Sequence, residues 1–149
     1  MAWVEDELYK VILEKLPVVT VDAVIVHNDK FLLLKRNNPP VKDEWWIAGG
    51  RVFKNETLEA AVKRKVLEET GLNCKILCQA GVLNQLFSEE NVHTVTIYFL
   101  MESDSMNVKL NDDHSEYKWV AKLDPDAHPF LRTIVENSIK KLAKLKPNR

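Results

Sequence analysis

Between residues 44 and 72, EWWIAGGRVFKNETLEAAVKRKVLEETGL, the hydrophobic period changes from that of a strand to that of a helix. A short aromatic run enters the pair Gly49-Gly50. After a polar loop, Leu58, Ala61, Val62 and Val66 then recur at helical spacing. Asn55 is a plausible N-cap, and Glu56 and Glu59 fall in a first turn where the helix dipole favours acids. Gly71 supplies the left-handed C-terminal residue and Leu72 packs back behind it. The stretch therefore has to be a strand, a loop, a helix of about four turns and a glycine stop, and it holds three of the chain's four glycines.

The other elements build around this unit. Val4, Leu8, Val11, Ile12 and Leu16 mark an amphipathic first helix that Pro17 ends. VVTVDAVIV and FLLLKR flank HNDK, which predicts a hairpin of residues 18–26 and 31–36 turning on Asn28 and Asp29. Further strands are expected at 75–83, 92–102, 107–110 and 116–120, and a closing helix at 129–145. No repeat, low-complexity tract or linker interrupts them, so residues 1–149 are expected to form one domain.

Charge and composition narrow the partners. With 21 basic and 22 acidic side chains the net charge is -1, too balanced to hold a nucleic-acid backbone by its field. No 18 apolar residues run together, and acids interrupt the N-terminal apolar pattern, so a soluble cytoplasmic protein with no membrane partner is expected. Cys74 and Cys78 lie four apart on an expected strand, about 13 Å from each other and too distant for a disulfide. They read as reduced core thiols, and no second Cys/His pair supports zinc. His93 alternates with apolar residues on a strand, His27 and His128 look like surface residues, and Trp45 and Trp46 look like core or rim.

On the helix, Arg64, Lys65, Glu68 and Glu69 stand three and four residues apart and share one side. A solvated face would explain those four alone. The full spacing is longer: a glycine, five residues, Glu56, seven residues, Arg64, then Glu68-Glu69, one residue, Gly71 and Leu72. This resembles the box of the Nudix hydrolases. The resemblance implies an α/β/α sandwich around a mixed sheet with the box helix on one face. It also implies glutamates holding Mg²⁺, with Mn²⁺ as a possible substitute, against a diphosphate. The chemistry fits, because Mg²⁺ takes a few carboxylates and phosphate oxygens and keeps water elsewhere. Two positions depart from the box: Lys65 stands where the family carries Glu, and Ala48 where it carries Pro. Lys65 removes a ligand and adds a cation, so fewer metals are expected; its other reading is helix pairing with Glu68 and Glu69, worth roughly 0.2–0.5 kcal/mol each.

Within that family, LPVVTVDAVIV, FLLLKRNNPP, EWWIAGGRVFKNETLEAAVKR and DDHSEYKWV are similar to the GDP-mannose mannosyl hydrolase branch. That branch cleaves the sugar C1–O bond with inversion. The resemblance implies metal at the Gly49 carbonyl, Glu69 and Asp113, the last where the branch has an amide. It implies His114 as general base, Arg36 and Arg51 neutralising the diphosphate, Asp22 near nucleotide and sugar, and a homodimer formed across the first helix's apolar stripe. Retention of Glu68 beside Glu69 favours instead a pyrophosphohydrolase that cuts P–O in an NDP-sugar, dinucleotide or NTP. Lys65 and Ala48 suggest a third possibility, a nucleotide-binding module without catalysis.

Overall fold

The structure, a computed structural model, describes residues 4–145. Helix α1 (Asp6–Lys15) stops where Leu16 turns extended ahead of Pro17, as the residue before a proline prefers. Strands β1 (Val18–His27) and β2 (Lys30–Arg36) form the expected hairpin, and Asn28 supplies its left-handed residue with φ 54°. There follow β3 (Trp45–Trp46), β4 (Ala48–Arg51), the box helix α2 (Leu58–Thr70), β5 (Lys75–Phe87), β6 (Val92–Glu102), β7 (His114–Val120) and α3 (Pro129–Leu145).

The strands make one sheet in the order β3-β2-β1-β6-β5, with β4 on β1 and β7 on β2. Only the β1–β6 pairing is parallel among the described pairs, so the sheet is mixed. Alternation along β1 sends Val21, Ala23 and Ile25 to one face, where Ala61, Val62 and Val66 of α2 close over them. Val24 and Val26 point to the other face, beneath Leu131, Ile134 and Val135 of α3. The α/β/α sandwich is therefore built from two cores, each buried aliphatic side chain contributing roughly 1.5–3 kcal/mol.

Several local expectations change. Asn55 does not cap α2: it takes a left-handed turn conformation with φ 68°, and Thr57 is the N-cap, its hydroxyl accepting from the Ala60 N–H at 3.1 Å. β5 runs past residue 83 to Phe87, and β7 begins at His114 instead of 116. Residues 107–110 form no strand; the segment lies across the end of α2, where the Lys109 N–H donates to the Thr70 carbonyl at 2.8 Å. His27 and His128 are half-buried, the first donating from Nδ1 to the Ser103 carbonyl and the second packed against Trp46, Phe87 and Phe130. Both cysteines are free and half-buried, and burial raises the Cys74 thiol to about 11.

The pairing of β1 positions the site. β1 is partnered by β2 only at Val26–His27, whereas at its other end Thr20–Ala23 are partnered by β4. The partner of β1 thus changes between Ala23 and Val26, and the end of β2, the start of β7 and the C-terminal turn of α2 carry Arg36, His114 and Glu69 to the opening.

Candidate functional site

The loop before α2 is organised by one ion pair. Arg64 donates from Nε and Nη2 to the two oxygens of Glu56 at 2.7 and 2.9 Å, and from Nη2 to the Arg51 carbonyl at 2.9 Å. Glu56 in turn accepts from the Phe53 N–H, and the guanidinium lies 3.9 Å from the centre of the Phe53 ring. A two-pronged pair of this kind fixes direction as well as distance. It sets Gly49, Gly50 and Arg51 against the helix.

Glu69 reaches from the last turn of α2 into the opening. It is 3% exposed, and its Oε1 accepts from the Gly49 N–H at 2.8 Å. Burial pushes its carboxyl up to about 7, against the pull of Lys65, the Gly49 N–H and Arg36, while Asp113 pushes the same way as burial. Asp22, buried on β1 directly opposite Gly49, accepts from the Thr96 hydroxyl at 2.7 Å. Its carboxyl is raised by burial to about 6, with Thr96 and Arg36 opposing. A side chain at Gly49 would collide with the Asp22 carboxylate and the Val21 carbonyl, so glycine is required there by close approach.

Arg36 sits between these acids. A register shift between Lys35 and Arg36 places it opposite His114 of β7. Its Nε donates to the Pro40 carbonyl at 2.7 Å, which leaves the guanidinium in the field of Glu69, Asp22 and Asp113. His114 is 4% exposed, with its Nδ1 3.8 Å from Glu69 Oε2 and neither ring nitrogen hydrogen-bonded among the described residues. Burial, Arg36 and Lys65 lower its pKa to about 4 against the pull of Asp113, so the imidazole is neutral at pH 7.

The opening is a cleft of about 360 Å³. Its floor holds Asp22, Arg36, Gly49, Glu69, Lys65 and Asp113, and Arg51 stands at its side over the Tyr9 ring. Tyr9, Leu13, Trp46, Phe87 and Val92 form an apolar flank. The site residues read from the sequence thus come together with two distinctions. His114 lies behind Glu69 and does not line the cleft, and Glu68 points away, its carboxylate 3.3 Å from both Arg64 and Lys65. The cleft also holds Thr20, Thr94 and Gln85, and Thr96 orients Asp22. Polar residues inside the apolar runs of β1, β5 and β6 are the signal for these.

Nudix hydrolases generally use divalent metals such as Mg²⁺ or Mn²⁺. Among the described residues, no three His, Cys, Asp or Glu side chains stand close enough to hold an ion. One oxygen of Glu69 is engaged by Gly49, and the other faces the Lys65 ammonium at 3.8 Å. A divalent ion within about 4 Å of an ammonium is repelled by roughly 8 kcal/mol at an effective dielectric of about 20. The residues present do not fit a protein-held ion at this carboxylate.

The model of the NUDIX domain matches residues 16–138. The Low-salt glycan biosynthesis protein Agl8 of Haloferax volcanii is 30% identical over 139 residues, 89% of each chain. An ADP-ribose pyrophosphatase of Methanocaldococcus jannaschii is 37% identical over 100 residues, 67% of this chain and 59% of that one. The crystal structure of a MutT protein from Methanosarcina mazei Go1 superposes with a TM-score of 0.74 at 30% identity, covering 87% of this chain and 98% of its own. No helix among the described residues is long and apolar enough to cross a membrane.

Proposed function

The chain belongs to the Nudix hydrolase family, and from that premise we propose that it hydrolyses a nucleoside diphosphate sugar. The observation that carries this is the division of labour in the cleft. Arg36 and Arg51 offer guanidiniums to a diphosphate, Asp22 and Glu69 offer carboxylates to the reacting end, and the flank of Tyr9, Trp46 and Phe87 offers rings to a base or sugar. GDP-mannose remains the finer expectation carried by the resemblance.

Our leading reading is cleavage at the sugar. Glu68 is drawn off to Arg64 and Lys65, so Glu69 is the only box glutamate facing substrate. Water attacks C1 as the C1–O bond breaks, the bonding electrons leave with the β-phosphate oxygen, and Arg36 and Arg51 stabilise the charge that develops there. The proton of the attacking water passes to a carboxylate. With His114 held near 4, Glu69 near 7 is better matched to proton transfer at neutral pH. His114 stands 3.8 Å from that carboxylate without a hydrogen bond to it. The second reading, attack at phosphorus, is favoured by the pyrophosphatase among the relatives.

Hydrolysis of GDP-mannose and ADP-ribose in ¹⁸O-labelled water separates them. Cleavage at C1 places the label in the released sugar and leaves the nucleoside diphosphate unlabelled. Cleavage at phosphorus yields a nucleoside monophosphate and a sugar phosphate with the label on phosphate. Turnover of neither compound would overturn the substrate class.

A further inference from the structure

Lys65 stands where the Nudix box carries a glutamate, and its surroundings are specific. The side chain is 15% exposed and lines the floor of the cleft. Its Nζ lies 3.3 Å from Glu68 Oε2 and 3.8 Å from Glu69 Oε2, the two acids three and four residues further along α2. Its stem crosses Gly50 so closely that a Cβ there would stand 2.5 Å from Lys65 Cε. Gly50 has an ordinary backbone, since the only glycine with positive φ among the described residues is Gly71. The lysine stem therefore lies directly against the Gly50 backbone. An ammonium has three donors, and among the described residues only Glu68 is within hydrogen-bond distance of this one.

We propose that the Lys65 ammonium is a resident cation that takes the place of a divalent ion beside Glu69, and that a diphosphate binds against it without metal. Three observations converge on this. The carboxylate oxygen that would face an ion faces the ammonium, no three ligating side chains are gathered among the described residues, and the stem lies along Gly50 with Lys65 lining the cleft. The remaining donors of the ammonium, with the Arg36 and Arg51 guanidiniums on the same cleft, form an all-protein cradle for phosphate oxygens. The proposal rests on the substrate reading above only in taking the ligand to be a diphosphate.

Two measurements test it without sugar or base. Mn²⁺ titration followed by electron paramagnetic resonance compares wild type with Lys65→Glu. Exchange of a cation for a carboxylate should tighten Mn²⁺ binding by about tenfold or more. Calorimetric titration of inorganic pyrophosphate in excess EDTA compares wild type, Lys65→Arg and Lys65→Met. Wild type should bind. Lys65→Met, whose stem still fills the space over Gly50, should bind about tenfold or more weakly, and Lys65→Arg should fall between. Matching circular dichroism melts for the three proteins make the loss one of charge and not of folding. Tight Mn²⁺ binding by wild type that Lys65→Glu leaves unchanged would overturn the proposal. So would pyrophosphate binding that appears only with added Mg²⁺, or that Lys65→Met does not weaken. Failure to hydrolyse any nucleoside diphosphate sugar, with both titrations as expected, would remove the substrate reading and leave Lys65 in place.

Discussion

Glu69 and His114 face each other at 3.8 Å and respond to pH in opposite directions. The Glu69 carboxyl titrates near 7 when folded, against 4.5 ordinarily. Across that window the folded protein holds a proton that the unfolded chain has released, so this group makes stability fall as pH rises from about 4.5 to 7. Gln at 69 keeps an acceptor for the Gly49 N–H and has no charge to bury. Glu69→Gln is therefore expected to be more stable than wild type at pH 8, by up to about 3 kcal/mol, and no more stable at pH 4.5, while hydrolysis drops by roughly 10²–10⁴-fold. Urea unfolding at the two pH values checks this, and an equal difference at both would show an ordinary carboxyl. His114 takes a proton near 6.5 when unfolded and near 4 when folded, so it costs stability as pH falls through that window. His114→Gln should flatten the acid limb of the stability curve, and an unchanged limb would place the imidazole in water. An acid inside an apolar strand made Asp22 legible from the sequence, because an unpaired buried carboxylate needs a reason. Helical spacing alone did not separate Glu68 from Glu69, which only the resemblance distinguished: neighbours on a helix point about 100° apart, and in the structure the Gly49 N–H engages Glu69.

At the scale of elements, α2 was the most legible, since Leu58, Ala61, Val62 and Val66 are a helical stripe whatever surrounds them. Its start was not. Asn55 and Thr57 are both capping types, and the choice depends on which leaves the preceding turn in extended conformation. Asn55 tolerates the left-handed region and takes the turn, and Thr57, with φ -71° and ψ 155°, takes the cap. Thr57→Ala should therefore cost about 1 kcal/mol of stability, and Asn55→Ala should act only through its positive φ. Loss of stability confined to the Asn55 variant in chemical denaturation would reverse the assignment. The extra length of β5 escaped the sequence because its last residues invert the usual pattern, with the polar Gln85 buried and the apolar Leu86 exposed.

Among the described residues, α1 carries apolar side chains that the fold does not cover. α1 turns Tyr9 and Leu13 toward the cleft but buries no residue fully, and Leu8, Val11 and Leu16 are 52%, 50% and 58% exposed. β5, the edge of the sheet, adds exposed Val82 and Leu86. Large apolar side chains grouped on one helix signal association, and a helix stripe meeting its own copy about a two-fold axis closes without leaving a free end. We therefore expect a homodimer, in which α1 is held down by its partner instead of by the sheet. This bears on the site, because Tyr9 carries the Arg51 guanidinium at 4.0 Å and forms part of the apolar flank. Light scattering on a sizing column should give twice the chain mass of 17.2 kDa. Leu8→Glu with Leu16→Glu should give a single chain mass, with the substrate KM raised as Tyr9 loses its support, and with kcat changed less because Glu69, Asp22 and Arg36 stand on other elements. A wild-type protein that runs at one chain mass throughout the micromolar range would end the dimer expectation. Monomeric variants with an unchanged KM would show that α1 holds the flank of the cleft unaided.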